Sequence, residues 1–432
     1  MMKKIGLKEA VSIGIGGMVG GGIFAVLGLA VSLAHGATPV SFLVAGIIAL
    51  LTCNSYSHLS VIYPDRGGTV YFINQGFGEG IFSGAANNLL WLSYVIMLAL
   101  YSSAFGSYAP NLLLISGSRN IDYHIYASAI IILATFINYY NVKVVGTIET
   151  YAVFIKLIIL VAFIFIGAYG LFAYSNNVHQ LYVTNWVSPI QLITGGMVIF
   201  VAYEGFELIA NAAPDIENPK KNIPKAYFYS VVFVIFLYLA IAIITVGSLP
   251  FSRIAKAQDY VLAEAAKPML GNIGFIIITI AALISTFSAI NASLFGGSRV
   301  NYQIAVDKEL PKEFKDFFWN RPIGLLITSA LTLLLVNTVN LQNISIAGSI
   351  NFLIIFTLVN YVWFKLAKKN NGKKTMPFLG FFFCGVALIT LIIQQYSSHK
   401  TGVFVSALII ITCIIYETGF RRYDSYKKIK SE

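Results

Sequence analysis

Apolar residues run along this chain in long blocks punctuated by glycine, proline and charge. About 20 apolar residues carry a helix across a bilayer. Blocks of that order fall at about 9 to 33, 39 to 62, 80 to 108, 123 to 140, 147 to 174, 188 to 212, 225 to 248, 271 to 302, 323 to 338, 344 to 366, 376 to 396 and 401 to 419. Twelve membrane-spanning helices are predicted, the ninth being the shortest. An even number places both termini on one side.

Composition agrees with that reading. Of 432 residues, 57% are hydrophobic and 11% charged, with a mean hydropathy of +0.77; soluble domains carry about 25% charged residues. Little sequence remains for a separate soluble unit, so residues 1–432 are expected to form one transmembrane domain. The net charge of +11 sits in the gaps between blocks and not as a stripe, which excludes a nucleic-acid surface and reports topology. Of the 29 Lys and Arg residues, 23 fall on the terminus side, while Arg119, Arg253, Lys256, Lys267 and Lys400 fall opposite and Lys156 lies inside a block. By the positive-inside rule both termini are cytoplasmic, in the cell membrane. The opening MMKKIGLKEA leads into an apolar run without a cleavage site, so the first span is expected to be retained.

Other chemistry is excluded by what the blocks contain. Cys53, Cys384 and Cys413 lie within them as packing thiols. No HExxH pair, phosphate loop or CxxC pair occurs, so no metal, cofactor or ATP hydrolysis is expected, and no nucleophile with a base suggests an enzyme. His58 reads as a packed residue, and Trp91, Trp186, Trp319 and Trp363 as anchors near span ends.

Two blocks are interrupted. The first reads GIGGMVGGGIF from Gly14 to Phe24, and each interior glycine costs about 1 kcal/mol of helix stability against alanine. Small-xxx-small packing at Gly16 and Gly20, or Gly17 and Gly21, is one explanation. Three consecutive glycines, Gly20 to Gly22, suit instead a break that exposes amides at the start of an outer half-helix, where the dipole attracts a carboxylate. The sixth block carries VAYEGFE, Val201 to Glu207, with two carboxylates where each ionised group costs about 2.5 to 3.5 kcal/mol. They are either protonated and hydrogen-bonded to neighbours or face a cavity.

The first and sixth blocks open equivalent five-helix units of opposite orientation. Paired breaks of this kind point to a midplane substrate site in a secondary transporter. Free carbonyls near Met18 and from Val201 to Glu204 suit an ammonium and the amides of Gly20 to Gly22 a carboxylate, which together fit an α-amino acid.

At these residues the sequence resembles the amino acid-polyamine-organocation superfamily of permeases, in its prokaryotic branch with a LeuT-like fold. The motifs are GGGIF at Gly20–Phe24, PDRGGTVYFINQGFG at Pro64–Gly78, NVKVVG at Asn141–Gly146, AYEGFE at Ala202–Glu207, ENPKKNIP at Glu217–Pro224 and SRVNYQIAVDKELP at Ser298–Pro311. The resemblance implies an all-α polytopic fold. Its two inverted five-helix repeats cover about 9–174 and 188–366, with two peripheral helices at 376–419 and a cytoplasmic tail at 420–432. It implies substrate-backbone contacts at Met18, Gly20, Gly21, Gly22, Val201, Ala202, Glu204 and Gly205, a gate or packing role for Phe206, and proton-linked gating at Glu207. Members more often carry an apolar residue where Glu204 stands, so Glu204 marks either a cationic substrate or a second proton site.

Lys156 lies about two turns inside the fifth block. Its stem snorkels to the interface, or its amine loses and regains a proton within the working cycle. In LeuT-like sodium symporters a cation bridges the first, fifth and eighth spans. The resemblance implies that Lys156 replaces it, holding the first break against Ser285, Thr286 and Ser288, with no sodium site. The expected function is proton-coupled amino-acid symport by alternating access, driven by the proton gradient, with an amino acid–amine exchanger as the alternative. A nutrient sensor on the same scaffold is the alternative of another class. Partners are the lipid bilayer and a small-molecule amino acid substrate, a cationic one if Glu204 pairs with it; a monomer and a homodimer are equally compatible with the sequence.

Overall fold

The computed structural model describes residues 4–140, 142–174, 177–310, 314, 317–318 and 321–431. Asn141 and Pro311 of the motifs above, and Trp319, lie outside them.

The chain folds into helices in the order α1 (Leu7–Met18), α2 (Gly22–Ala34), α3 (Thr38–Ile62), α4 (Thr69–Phe77), α5 (Ile81–Tyr108), α6 (Arg119–Tyr140) and α7 (Val142–Tyr174). The same order then recurs as α8 (Pro189–Val198), α9 (Leu208–Ala212), α10 (Pro219–Ser248), α11 (Phe251–Lys256), α12 (Val261–Val306), α13 (Ile323–Thr338) and α14 (Leu341–Ala367). In each series a bent pair comes first and a short connecting helix, α4 or α11, follows the next span. Two further helices, α15 (Thr375–Ser398) and α16 (Lys400–Ser431), pack on α14, α3 and α5. A two-residue ladder, Phe317–Phe318 with Arg321–Pro322, interrupts the turn before α13.

Among the described residues nine helices are long and apolar enough to cross a membrane, two bent pairs bring the number to eleven, and α13 is a shorter apolar helix. The span expected from 271 starts at a kink inside α12, where Gly271 takes a φ of 59° and Pro268 has just removed a backbone donor.

Contacts between loops fix the orientation of the two bent pairs. Ile5 N–H donates to Asp215 O at 2.9 Å and Glu217 N–H to Ile5 O at 2.9 Å, so the start of the first pair meets the end of the second. His35, just after α2, bridges Trp186, just before α8. The pairs therefore run in opposite directions, and α3 lies along α10 as α5 lies along α12, joining equivalent members of the two series. Arg421 near the end of α16 reaches Glu309 beyond α12, which brings the C-terminal helix end to the face that holds residue 5.

Two tryptophans differ from the anchors expected of them. Trp91 and Trp363 are 7% and 1% exposed. Trp91 donates its indole N–H to Thr328 Oγ1 at 3.0 Å, and Trp363 stacks near His58 with ring centroids 4.9 Å apart. Position near a span end places an indole at the interface only where no neighbouring helix covers it, and α13 and α3 cover these two. His58 is packed as expected, its Nδ1 lying 2.9 Å from Asn54 O.

Candidate functional site

The first break arises because α1 ends at Met18 and α2 restarts at Gly22, bent by 46°. Space, not backbone strain, requires its glycines. A Cβ on Gly17 would stand 2.5 Å from Gly205 O, one on Gly20 would stand 2.7 Å from Ala289 Cβ, one on Gly21 would run into the Tyr101 ring, and one on Gly22 would stand 2.9 Å from Ala202 Cα. Helix interruption and close packing, posed as alternatives by the sequence, occur together. The helical ladder of α2 opens with Ala25 N–H donating to Gly21 O at 2.9 Å, so the amides of Gly22, Ile23 and Phe24 precede its first rung.

The second break runs from α8 through a turn of 3-10 helix at Phe200–Tyr203 into α9, bent by 47°. Here conformation decides: Gly205 takes a φ of 109°, open to glycine at little cost. Gly17 with Gly205, and Gly22 with Ala202, place the two breaks directly against each other.

Broken helices leave carbonyls that must find donors in the membrane interior. Ser285 Oγ donates to Val19 O at 3.0 Å and to Gly20 O at 2.7 Å. Tyr238 Oη spans both breaks, lying 2.6 Å from Met18 O and 3.2 Å from Ala202 O. Ser349 Oγ accepts from Val201 N–H at 3.2 Å and donates to Val198 O at 2.9 Å, and Ser345 adds a second bond to Val198 O at 3.0 Å. Lys156, on α7 and fully buried, donates to Gly16 O at 3.1 Å. The ammonium meets the C-terminal end of α1, where the helix dipole is negative. Of the three residues paired with Lys156 on the sequence, Ser285 is engaged with the break, whereas Thr286 donates within its own helix to Ala282 O at 2.7 Å. Ser288 is buried on the same helix.

Both acidic residues of the second break are buried, Glu204 at 3% and Glu207 at 1% exposure. Glu207 accepts from Gly205 N–H at 2.7 Å and from Tyr94 Oη at 3.1 Å, and Glu204 accepts from Tyr101 Oη at 3.3 Å. The two carboxyls lie near enough to each other to interact electrostatically. Phe206, between them in sequence, enters an aromatic cluster with Tyr56 at 5.4 Å, Phe356 at 5.1 Å and Tyr227 at 6.3 Å between ring centroids.

Sequence reasoning missed Tyr94, Tyr101, Tyr238, Ser345 and Ser349. For two of these a signal existed: Tyr94 and Tyr101 recur with Tyr108 every seven residues on α5 and so share a face. They meet Glu207, Glu204 and, at 3.4 Å, Phe24 O. On the face opposite the termini a cavity of about 680 Å³ opens between Gly106, Arg119, Asp259, Tyr260 and Asn337.

The sequence profile of the family described as amino acid permease matches residues 5–416. A Methanocaldococcus jannaschii protein, MJ0609, is 36% identical over 97% of this chain and 96% of its own length. The inner membrane transport protein YbaT of Escherichia coli is 32% identical over 91% of this chain and 90% of its own. The Arabidopsis thaliana cationic amino acid transporter 9, chloroplastic, is 26% identical over 73% of this chain and 57% of its own. With its ordered series of apolar helices, this chain is a multi-pass membrane protein that belongs to the amino acid permease family.

Proposed function

We propose that the chain is a proton-coupled amino-acid symporter of the cell membrane, working by alternating access, with the terminus face cytoplasmic. The 23 of 29 Lys and Arg residues assigned to the terminus side support that orientation. The observation that carries the reading is the apposition of two oppositely directed helix breaks, with the buried Lys156 bound to a carbonyl of one and two buried carboxyls, Glu204 and Glu207, on the other.

An amino acid offers a carboxylate and an ammonium to this apposition. The amides of Gly20 to Gly22 at the start of α2 receive the carboxylate, aided by the dipole, and the carbonyls from Met18 and from Val201 to Glu204, with Gly205 giving the turn, receive the ammonium. Tyr238 already joins Met18 O to Ala202 O, so an ammonium competes with a hydroxyl that donates to the same oxygens. The cavity on the opposite face is the entrance, and the Phe206 cluster closes the path towards the terminus face.

Protons act at two places. Protonated Lys156 holds the C-terminal end of α1 through Gly16 O, and its deprotonation removes the charge that binds it there. A fixed ammonium beside carbonyls that a metal cation would otherwise occupy accounts for coupling without sodium. Glu204 is buried and engaged by the Tyr101 hydroxyl, which favours a proton-carrying role over direct pairing with a cationic side chain.

Purified protein in vesicles tests the reading. Uptake should follow an imposed pH gradient and ignore sodium, and Lys156→Ala should lose the pH response. Strong sodium dependence sinks it. Accumulation into empty vesicles separates symport from exchange, which needs substrate on both sides. A thermal-shift panel of amino acids and polyamines identifies the cargo, since a ligand raises stability by mass action.

A further inference from the structure

The terminus face holds a buried polar cluster that the transport chemistry above does not use. Glu309, in the turn after α12, and Glu417, on α16, are both fully enclosed. Asn87 Nδ2, near the start of α5, donates to Glu309 Oε2 at 2.7 Å and to Asn74 Oδ1 on α4 at 2.9 Å. Arg421 reaches Glu417 Oε1 at 2.6 Å through Nε and Glu309 Oε1 at 3.4 Å through Nη2. Asn88 donates to Glu417 Oε2 at 3.2 Å, and Asp307 accepts from Asn74 at 3.1 Å and Gln303 at 3.0 Å. The packing is tight enough that a Cβ on Gly84 would run into the Glu417 carboxylate.

Four elements, α4, α5, α16 and the turn after α12, are thus tied through one set of side chains. When Glu309 is ionised, it and Glu417 are two carboxylates on the same guanidinium, that of Arg421. When Glu309 is protonated, Glu417 and Arg421 balance, and Asp307 keeps its amide donors. Burial above all, opposed by the Asn87 hydrogen bond, then raised by Glu417 and lowered by Arg421, leaves the Glu309 carboxyl pushed up to about 7. Cytoplasmic pH spans that value.

The cluster has a mechanical route to the site. Asn87, Tyr94, Tyr101 and Tyr108 stand at seven-residue steps on one face of α5, about 10.5 Å apart along its axis. Asn87 holds Glu309 at the foot of that stripe, and Tyr94 and Tyr101 hold Glu207 and Glu204 above it.

We infer that the Glu309–Glu417–Arg421 cluster is a latch through which cytoplasmic pH governs opening at the terminus face, closed while Glu309 is protonated and released when it ionises. This rests on the proposed orientation and proton coupling. Each inward cycle delivers a proton, so the latch slows transport when the cytoplasm turns acid.

Hydrogen exchange on the detergent-purified full chain tests the latch without using transport. Between pH 6 and pH 8 the ionised fraction of a group with its midpoint near 7 rises about tenfold. Exchange in residues 303–310 and 413–423, corrected for intrinsic rates, is expected to rise by about that factor in the native chain and to stay flat in Glu309→Gln. Counterflow in vesicles at equal pH on both sides is expected to rise with the same midpoint, again not in Glu309→Gln. Flat exchange in the native chain, or an equal rise in Glu309→Gln, overturns the latch. If exchange behaves as expected while vesicles carry no amino acid, the latch holds and the transport reading falls.

Discussion

The two broken helices approach most closely at Gly17, and one added methyl group there measures how much their contact matters. A Cβ on Gly17 would stand 2.5 Å from Gly205 O and 3.0 Å from Gly205 Cα. An unstrained carbon–oxygen contact needs about 3.3 Å, a shortfall of about 0.8 Å. The obstacle is backbone, held at a φ of 109° by the turn itself, so no side-chain rotation relieves it. In Gly17→Ala the breaks must therefore move apart by most of that distance. Overpacking of this kind costs about 1–3 kcal/mol. We expect a lower melting temperature in detergent and, if a cost of about 1.4 kcal/mol falls on the transport cycle, initial uptake in vesicles reduced by about tenfold. Gly385→Ala in α15 is the control, since nothing lies within 4 Å of a Cβ there. If Gly17→Ala melts with the control and takes up substrate within twofold of the native chain, the breaks do not bear on each other and the argument for the site fails.

Other expectations follow from single contacts. Tyr101→Phe removes the hydroxyl donor of Glu204 and should cost about 1 kcal/mol of stability while slowing uptake more than it lowers the melting temperature. Glu204→Gln cannot take up or release a proton and should shift the pH profile of uptake; an unchanged profile would assign Glu204 to packing. Because the Glu309 carboxyl is raised to about 7 in the folded chain, the fold holds its proton more tightly than the unfolded chain, whose midpoint is near 4.3. Its contribution to stability is complete below the unfolded value and is lost as pH rises through 7, so the melting temperature should fall over that window, less so in Glu309→Gln. Ser285→Ala leaves the carbonyls of Val19 and Gly20 without their hydroxyl and should destabilise by about 1–3 kcal/mol, read as a melting shift.

Much of the architecture was legible because the membrane punishes local irregularity. A run of glycines in α1 and two carboxylates at the second break stand out against apolar surroundings, and Lys156 stood out for the same reason. What those residues touch was not legible. Tyr238 sits in an apolar run where any tyrosine reads as packing, and only the fold shows that its hydroxyl joins Met18 to Ala202. Trp91 and Trp363 were misread because closeness to a span end says nothing about which helix covers a side chain. The Glu309 cluster was invisible, since Asn87 and Glu309 are 222 positions apart and each alone looks like an ordinary loop or span-end residue.

The shortness of α13 has a consequence for the surrounding lipid. Its 16 residues rise only about 24 Å, against about 30 Å of hydrocarbon in an ordinary bilayer. Leu334, 64% exposed, looks outward from that helix, so acyl chains along this flank must compress to meet it. Each ångström of mismatch costs a fraction of a kcal/mol. Vesicles of longer-chain lipid will therefore load the protein asymmetrically, on the α13 side, and those of shorter-chain lipid will relieve it.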